Sequence, residues 1–293
     1  MRRRDLLGMA PALAGVAALG GAARAKARPA RFRTAICAYS FRKELKEGSL
    51  AYKDLVAMAV EQNIDGLDLT VYWFPNTGDE FLLGLKNFAY RNGVEIYSIS
   101  VRTEMTRPTA EERSQEVEGI KKWVDVAAKL GAGHIRVFGG RVPKGATEEQ
   151  AAGWAADVLA RGAEYAARRG VILGLENHGG ITLRAERIIE IVKKVDSPWV
   201  GINLDTGNFR EEPYRQIEMC LPYAVNAQFK TEMRYADGRR EPSDWARIVK
   251  LFADAGYRGY LAIEYEGREP ALEAFPKHMK RLAELVRPYR FRA

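Results

Sequence analysis

The sequence predicts a single-domain α/β protein, a (β/α)8 barrel. Two observations carry this. Eight short apolar runs alternate with eight amphipathic stretches over the roughly 260 residues after Ala30, the count and length of such a barrel. No G-x-G-x-x-G follows the first run, which sets aside the dinucleotide-binding open sheet.

Each element has its own signal. A strand is expected over 34–41 (T-A-I-C-A-Y-S-F), then a helix over 50–62. The second strand, 64–70, runs into an aromatic loop, 71–78, with Tyr72, Trp73 and Phe74. A helix over 79–92 stops at Gly93, and a strand follows over 94–101. The helix over 109–130 opens T-A-E-E, acidic in its first turn, and stops at Gly131. The fourth strand, 134–138, ends at Gly139-Gly140. A helix over 147–169 opens T-E-E-Q and ends at Gly170. The fifth strand is 171–176, and Thr182 is the expected cap of a helix over 182–195. Strand 200–205, a short helix 214–221, strand 224–231 and helix 243–255 follow. Strand 259–265 and a helix from about 270 to 287 complete eight pairs.

Composition narrows the class. An apolar fraction of 47% and a charged fraction of 29% suit a soluble globular chain. Cys37 and Cys220 form no C-x-x-C pair and no disulfide framework. The net charge is +8, but residues 1–31 hold seven basic residues against Asp5. What remains is close to neutral and does not make a nucleic-acid surface.

The first residues read as a targeting segment. Arg3-Arg4 precede Asp5, Leu6 and Leu7, then an Ala/Gly/Leu-rich run that ends in Ala23-Arg24-Ala25, an A-x-A type cleavage site. The segment resembles a twin-arginine export signal. Residues 1–25 are therefore expected to be a signal peptide and 31–293 the barrel, in an exported, periplasmic or extracytoplasmic protein. Pro11 breaks the apolar run, so no stable membrane insertion is expected.

Chemistry is expected where the strands end. Side chains at i and i+2 share a strand face. Gly174, Glu176 and His178 share one; so do Gly201, Asn203 and Asp205; Asn226, Gln228 and Lys230; and Ala262, Glu264 and Glu266. Each set lies opposite apolar residues. Glu176, Asp205 and Glu264 would then face one another across the barrel mouth. Three clustered carboxylates repel unless protonated or bound to a cation. A divalent metal resolves this, with Gln228 as a neutral fourth ligand. The competing reading pairs each acid with a base, and Arg136 and Lys230 are available for that. Arg136 points inward and needs a carboxylate, with Asp68 and Glu176 as candidates. His178 stands at the rim, beyond Glu176, while His134 begins its strand at the far end and His278 lies in the last helix.

Taken together, the strand-end motifs resemble the xylose isomerase-like superfamily, and within it the sugar phosphate isomerase/epimerase group. They are L-T-V-Y-W-F-P, I-R-V-F-G-G, L-E-N-H-G-G, N-L-D-T-G-N, Q-F-K-T and A-I-E-Y-E, in that order. The resemblance implies a metal held by Glu176, Asp205, Gln228 and Glu264. His is commoner where Gln228 stands, and an all-oxygen set suits Mn²⁺ or Mg²⁺ better than Zn²⁺. It also implies Glu176 and Glu264 as the acids that move a proton next to a carbonyl through an enediolate. His178, Lys230, Arg136 and Trp73 are the candidates for contact with a sugar or keto-sugar. Three histidines are too few for the three-zinc site of related endonuclease-type barrels.

The expected activity is that of a metal-dependent sugar isomerase or epimerase. Two alternatives stay open: a 3-keto-glycoside lyase using the same metal and base, and a sugar-binding barrel without catalysis. No Gly-rich phosphate cradle is present, and an exported protein meets free or oxidised sugars more readily than sugar phosphates. Oligomeric state is left open.

Overall fold

Alternation of apolar and small or polar residues commits each strand to two unlike faces, and the fold uses both. In a computed structural model, which describes residues 29–290, the strands are β1 (Arg31–Cys37), β2 (Gly66–Thr70), β3 (Glu95–Ser100), β4 (His134–Phe138), β5 (Ile172–Glu176), β6 (Val200–Asp205), β7 (Ala224–Lys230), β8 (Glu232–Arg234), β9 (Arg240–Pro242) and β10 (Arg258–Glu264). The expected leader over 1–25 lies outside the described residues. Among the described residues, β1 to β7 and β10 pair in parallel and close a barrel, with β10 between β7 and β1. The (β/α)8 prediction holds.

Helices cover the outside: α1 (Arg42–Glu47), α2 (Tyr52–Glu61), α3 (Asp79–Arg91), α4 (Ala110–Leu130), α5 (Glu148–Arg169), α6 (Ala185–Val195), α7 (Pro213–Cys220), α8 (Trp245–Asp254) and α9 (Ala271–Arg290). The outward strand residues Leu67, Leu69, Ile135, Val137, Leu173, Leu175, Ile202, Leu204 and Ile263 are fully buried in one cluster with the helices. Burying each side chain of this kind contributes about 1.5–3 kcal/mol. Thr109 and Thr147 start α4 and α5 with capping boxes to Glu112 and Gln150, and left-handed Gly131 and Gly170 end them. Among the described residues no helix is long and apolar enough to cross a membrane.

The barrel interior is layered, and this positions the site. At the lower end Tyr97 and Tyr260 stack with ring centroids 3.7 Å apart. They pack with Ala35, Cys37 and Ala262 in a second, smaller apolar cluster. Above them lies a layer of amides and hydroxyls, then the charged groups at the strand ends.

Several features differ from the sequence expectation, among them the short helix α1 between β1 and α2. β1 starts at Arg31 and stops at Cys37, because the hydroxyl of Ser40 donates to Ile263 O and accepts from the Tyr265 N–H, both at 2.9 Å. These bonds pin residues 38–41 as a tight turn over the end of β10. The antiparallel β8–β9 hairpin was not expected; the Asp237-Gly238 pair at its tip is the turn signal for it. Thr182 does not cap α6, which starts at Ala185 with its first N–H held by Gln216 Oε1 at 2.8 Å. Thr182 instead accepts from the His178 N–H at 3.2 Å and donates to Gly179 O at 3.0 Å, closing the loop after β5. His278, which its place in the last helix predicts to be solvated, instead packs its ring 5.7 Å from Trp245 and 5.4 Å from Tyr265.

Candidate active site

Glu176 ends β5 at 2% exposure. Burying a carboxylate there requires partners, and three are present. Arg136 Nε, on β4, lies 2.8 Å from Oε2, as a charge pair whose N–H is not aligned for a hydrogen bond. His178 Nδ1 lies 2.8 Å from Oε1, and Asn208 Nδ2 donates to the same oxygen at 3.1 Å. Burial alone would raise the Glu176 carboxyl; the Arg136 guanidinium, with His178 and Lys230, outweighs burial and holds it below the usual range.

The partners are themselves fixed. Arg136 donates to Val101 O at 2.8 Å and to the Tyr72 hydroxyl at 3.1 Å, and its guanidinium lies 4.1 Å from the Phe138 ring centroid. The His178 ring stacks on Phe138 at 4.0 Å. Burial lowers the His178 pKa, but its bond to Glu176 more than reverses this and the net shift is upward. Asn177 ties β5 to β6: its oxygen accepts from the Asp205 N–H and its amide donates to Asp205 O, both at 2.8 Å.

A second group of charges centres on Lys230, at the end of β7. Its ammonium lies 2.8 Å from Glu266 Oε2, 3.4 Å from Asp205 Oδ2, and in hydrogen-bond contact with Glu264. Burial would lower its pKa; the three carboxylates raise it well above the ordinary lysine value, so it is a fixed ammonium. Asp205 is pushed up to about 7 by burial, against the pull of Lys230 and with further push from Glu264 and Glu176. Its Oδ1 accepts from the Gly207 N–H at 2.8 Å, while Oδ2 has no hydrogen bond. The thiol of Cys37 donates to Glu264 Oε2 at 3.4 Å.

Beneath these charges runs a chain of amides with one polarity. The Tyr97 hydroxyl donates to Asn226 Oδ1 at 3.2 Å, and Asn226 donates to Asn203 Oδ1 at 2.7 Å. Asn203 donates to Gln228 Oε1 at 2.9 Å, and Gln228 donates to Asp68 Oδ2 at 3.1 Å. Ser98 and Ser100 donate to the other oxygen of Asp68, at 3.0 and 2.9 Å. With a hydroxyl donor at one end and a carboxylate acceptor at the other, each amide has only one orientation that satisfies both neighbours.

Above Glu176, Lys230 and Glu264 opens a cavity of about 220 Å³, lined also by Arg136, His178, Tyr39, Tyr72, Arg102 and Arg210. The profile of the xylose isomerase-like TIM barrel family matches residues 46–285. The chain belongs to the xylose isomerase-like TIM barrel family. Fold relatives within reach of this family are distant in sequence. A probable 3-DHS dehydratase, AsbF, from Bacillus anthracis is 19% identical with a TM-score of 0.67, covering 86% of this chain and 98% of that one. D-psicose 3-epimerase from Clostridium cellulolyticum H10 is 17% identical with a TM-score of 0.67, covering 88% and 95%. A xylose isomerase-like TIM barrel protein from Mycobacterium smegmatis, in complex with magnesium, is 17% identical with a TM-score of 0.69, covering 90% and 98%. No match is found among curated proteins.

The Mycobacterium smegmatis barrel holds magnesium, and the question for this chain is whether its donor set fits a metal. It does not fit as placed. Among the described residues no three His, Cys, Asp or Glu side chains are grouped to hold an ion. Gln228, the expected fourth ligand, has its oxygen committed to Asn203 and its amide to Asp68. Glu176 is occupied by Arg136, His178 and Asn208. Asp205 and Glu264 share Lys230.

Glu176, Glu264, His178, Lys230 and Arg136 meet at one cavity. Trp73 stands behind it, stacked on Tyr39 at 6.0 Å, and Tyr72 is the aromatic of its loop that lines the cavity. His134 is buried at the far end, with Nδ1 2.8 Å from Ser98 Oγ. Sequence reasoning missed Asn208, Asn177 and Tyr39. Asn208 closes the N-L-D-T-G-N motif and Asn177 sits inside L-E-N-H-G-G, so both lay within recognised motifs, but loop backbone rather than strand alternation aims them.

Proposed function

We propose that the protein is a sugar isomerase or epimerase that removes a proton from a carbon next to a carbonyl and returns it by way of an enediolate. The observation that carries this is one cavity into which Glu176 and Glu264 project from β5 and β10, three strands apart around the ring, each beside a fixed cation.

Glu176 is the base. Arg136 keeps it ionised, and His178 and Asn208 fix its orientation. The proton passes from carbon to the Glu176 carboxylate while the electron pair moves onto the carbonyl oxygen. For isomerisation Glu176 returns the proton to the former carbonyl carbon as the hydroxyl proton of the adjacent carbon passes to the oxyanion, which leaves the new carbonyl on that adjacent carbon. For epimerisation Glu176 keeps the proton it removed, and Glu264, in its protonated form, gives one to the same carbon from the opposite face. His178, Tyr72 and the rim arginines are within the cavity to bind sugar hydroxyls, and a free or oxidised monosaccharide suits its size. The Mn²⁺ or Mg²⁺ expected from sequence has a magnesium-bound fold relative in its favour and this chain's donor set against it.

A second reading, a lyase acting on 3-keto-glycosides, is supported by a neighbouring cavity of about 370 Å³. Phe138 and His178 line both cavities, so a leaving group could sit beyond that pair. Proton NMR in deuterated water, with panels of ketoses, uronates and 3-keto-glycosides, tests both. Solvent deuterium entering a ketose or uronate without cleavage supports the isomerase; aglycone release supports the lyase. Binding with neither outcome leaves the non-catalytic barrel. We also propose export by the twin-arginine route with cleavage after Ala25, tested by cell fractionation and N-terminal sequencing of the mature chain.

A further inference from the structure

We propose that the Lys230 ammonium does in this barrel what a divalent metal would do: it neutralises the strand-end acids and is the cation facing the substrate's carbonyl oxygen. The first half stands on geometry alone; the second rests on the isomerase reading above.

Position is the first argument. Lys230 reaches from β7 to a point among three carboxylates, Asp205 from β6 and Glu264 and Glu266 from the end of β10. Its side chain is only 9% exposed, yet it lines the cavity. A cation placed there holds together acids that would otherwise repel.

Space is the second. The stem of Lys230 passes over Gly207, where an added Cβ would lie 2.5 Å from both Cβ and Cγ of the lysine. Any other residue at 207 would displace the lysine. The L-D-T-G-N turn is shaped around it.

Every expected metal ligand is also otherwise engaged. Gln228 lies inside an amide chain whose two ends fix its direction, so turning its oxygen toward the mouth would leave Asn203 without an acceptor and face Asp68 with an oxygen. Glu176 belongs to Arg136, His178 and Asn208. Arg136 and Lys230 together bring the two positive charges of a divalent ion, divided between Glu176 on one side and Asp205 with Glu264 on the other.

The chemical consequence follows for an enediolate. When the proton leaves carbon for Glu176, the electron pair settles on the carbonyl oxygen, and an ammonium already in place stabilises it without reorganisation. In the free protein the Lys230 ammonium donates to Glu264 and Glu266 and stands 3.4 Å from Asp205 as a charge pair. Of these, Glu266 has the most exposed side chain, at 23%, and is the contact that a substrate oxygen would displace.

The test is metal binding, read without substrate, so its failure is distinct from failure of the isomerase reading. The full chain is purified without chelator and analysed for metal content. Wild type, K230M and K230R are then melted with and without Mn²⁺, Mg²⁺ and Zn²⁺. A resident ion at about a hundredfold its Kd would raise the melting temperature by roughly 5 °C or more. Wild type and K230R are expected to purify free of metal and to show no shift. K230M, left with uncompensated acids, is expected to gain a saturable shift with Mn²⁺, or to require Mn²⁺ to fold. About one equivalent of metal in wild type, or a saturable shift in it, overturns the proposal whatever the variants do. So does a K230M chain, folded or not, that no divalent ion stabilises while wild type is equally indifferent.

Discussion

Arg136 Nε and Glu176 Oε2 lie 2.8 Å apart with both side chains at or below 5% exposure. This is a buried ion pair between the middle of β4 and the end of the adjacent strand β5. Such pairs add little net stability over an apolar pair, but breaking one leaves a stranded charge. At the barrel mouth one oxygen of the acid is turned to His178 and Asn208, the orientation that the proposed base role requires.

Removing either partner therefore has separable effects. Glu176→Gln is expected to lower deuterium exchange into substrate by about 10²–10⁴-fold, the range for loss of a positioned base. Arg136→Met is expected to cost about 3–5 kcal/mol in urea denaturation, because Glu176 stays buried without its main countercharge. The double variant should lose less stability than the two single losses added together, since both charges are gone. Simple additivity would show that the pair does not act as a unit.

Gln228 gives a sharper structural prediction. Gln228→Leu keeps the volume but leaves the Asn203 amide without its acceptor and Asp68 Oδ2 without its donor, while Ser98 and Ser100 still serve Oδ1. Each orphaned buried group costs about 1–3 kcal/mol. The expected loss is at the upper end of a single such cost or beyond, measured as a fall in the urea midpoint with an unchanged slope. A near-neutral variant would mean that the amide chain does not support the barrel.

Much of this site could be read in the sequence, for a definite reason. Strand alternation alone places Asn203, Asp205, Gln228, Lys230 and Glu264 on inward faces, and the order of the strands brings them to one mouth. What alternation does not state is which partner each side chain takes. The sequence offers Arg136 and Lys230 as possible countercharges to the acids, but the choice between them and a metal depends on side-chain distances that strand alternation does not set. The turn after Cys37 and the β8–β9 hairpin escaped because tertiary bonds, such as those of Ser40 to Ile263 and Tyr265, decide them.

Gly207 tests how tightly Lys230 is held. Gly207→Ala places a methyl against the lysine stem, 2.5 Å from two of its carbons, and 2.9 Å from Glu232 O. Overpacking of this kind costs about 1–3 kcal/mol. The variant should melt lower and lose exchange activity together, because the ammonium can no longer reach Asp205 and Glu264 at once. Retained activity with reduced stability would separate the turn from the chemistry.

His134 sets a pH dependence far from the site. Burial is the main cause that pushes its pKa down to about 3, with Arg136 adding to it, so the ring is neutral in the folded protein. The hydroxyl of Ser98 gives its one proton to Asp68, which makes the ring the donor through Nδ1 and leaves Nε2 buried without a partner. In the unfolded chain the same histidine takes up a proton near its ordinary value of 6.5. Between these two values the unfolded state binds more protons, so stability is full above about pH 6.5 and declines as pH falls toward about 3. The slope from this group approaches about 1.4 kcal/mol per pH unit. Urea unfolding at pH 7, 6, 5 and 4 should show this decline in wild type, and a shallower one in His134→Gln, which has no proton to take up. Identical pH slopes in the two proteins would mean that His134 is not the buried neutral group described here.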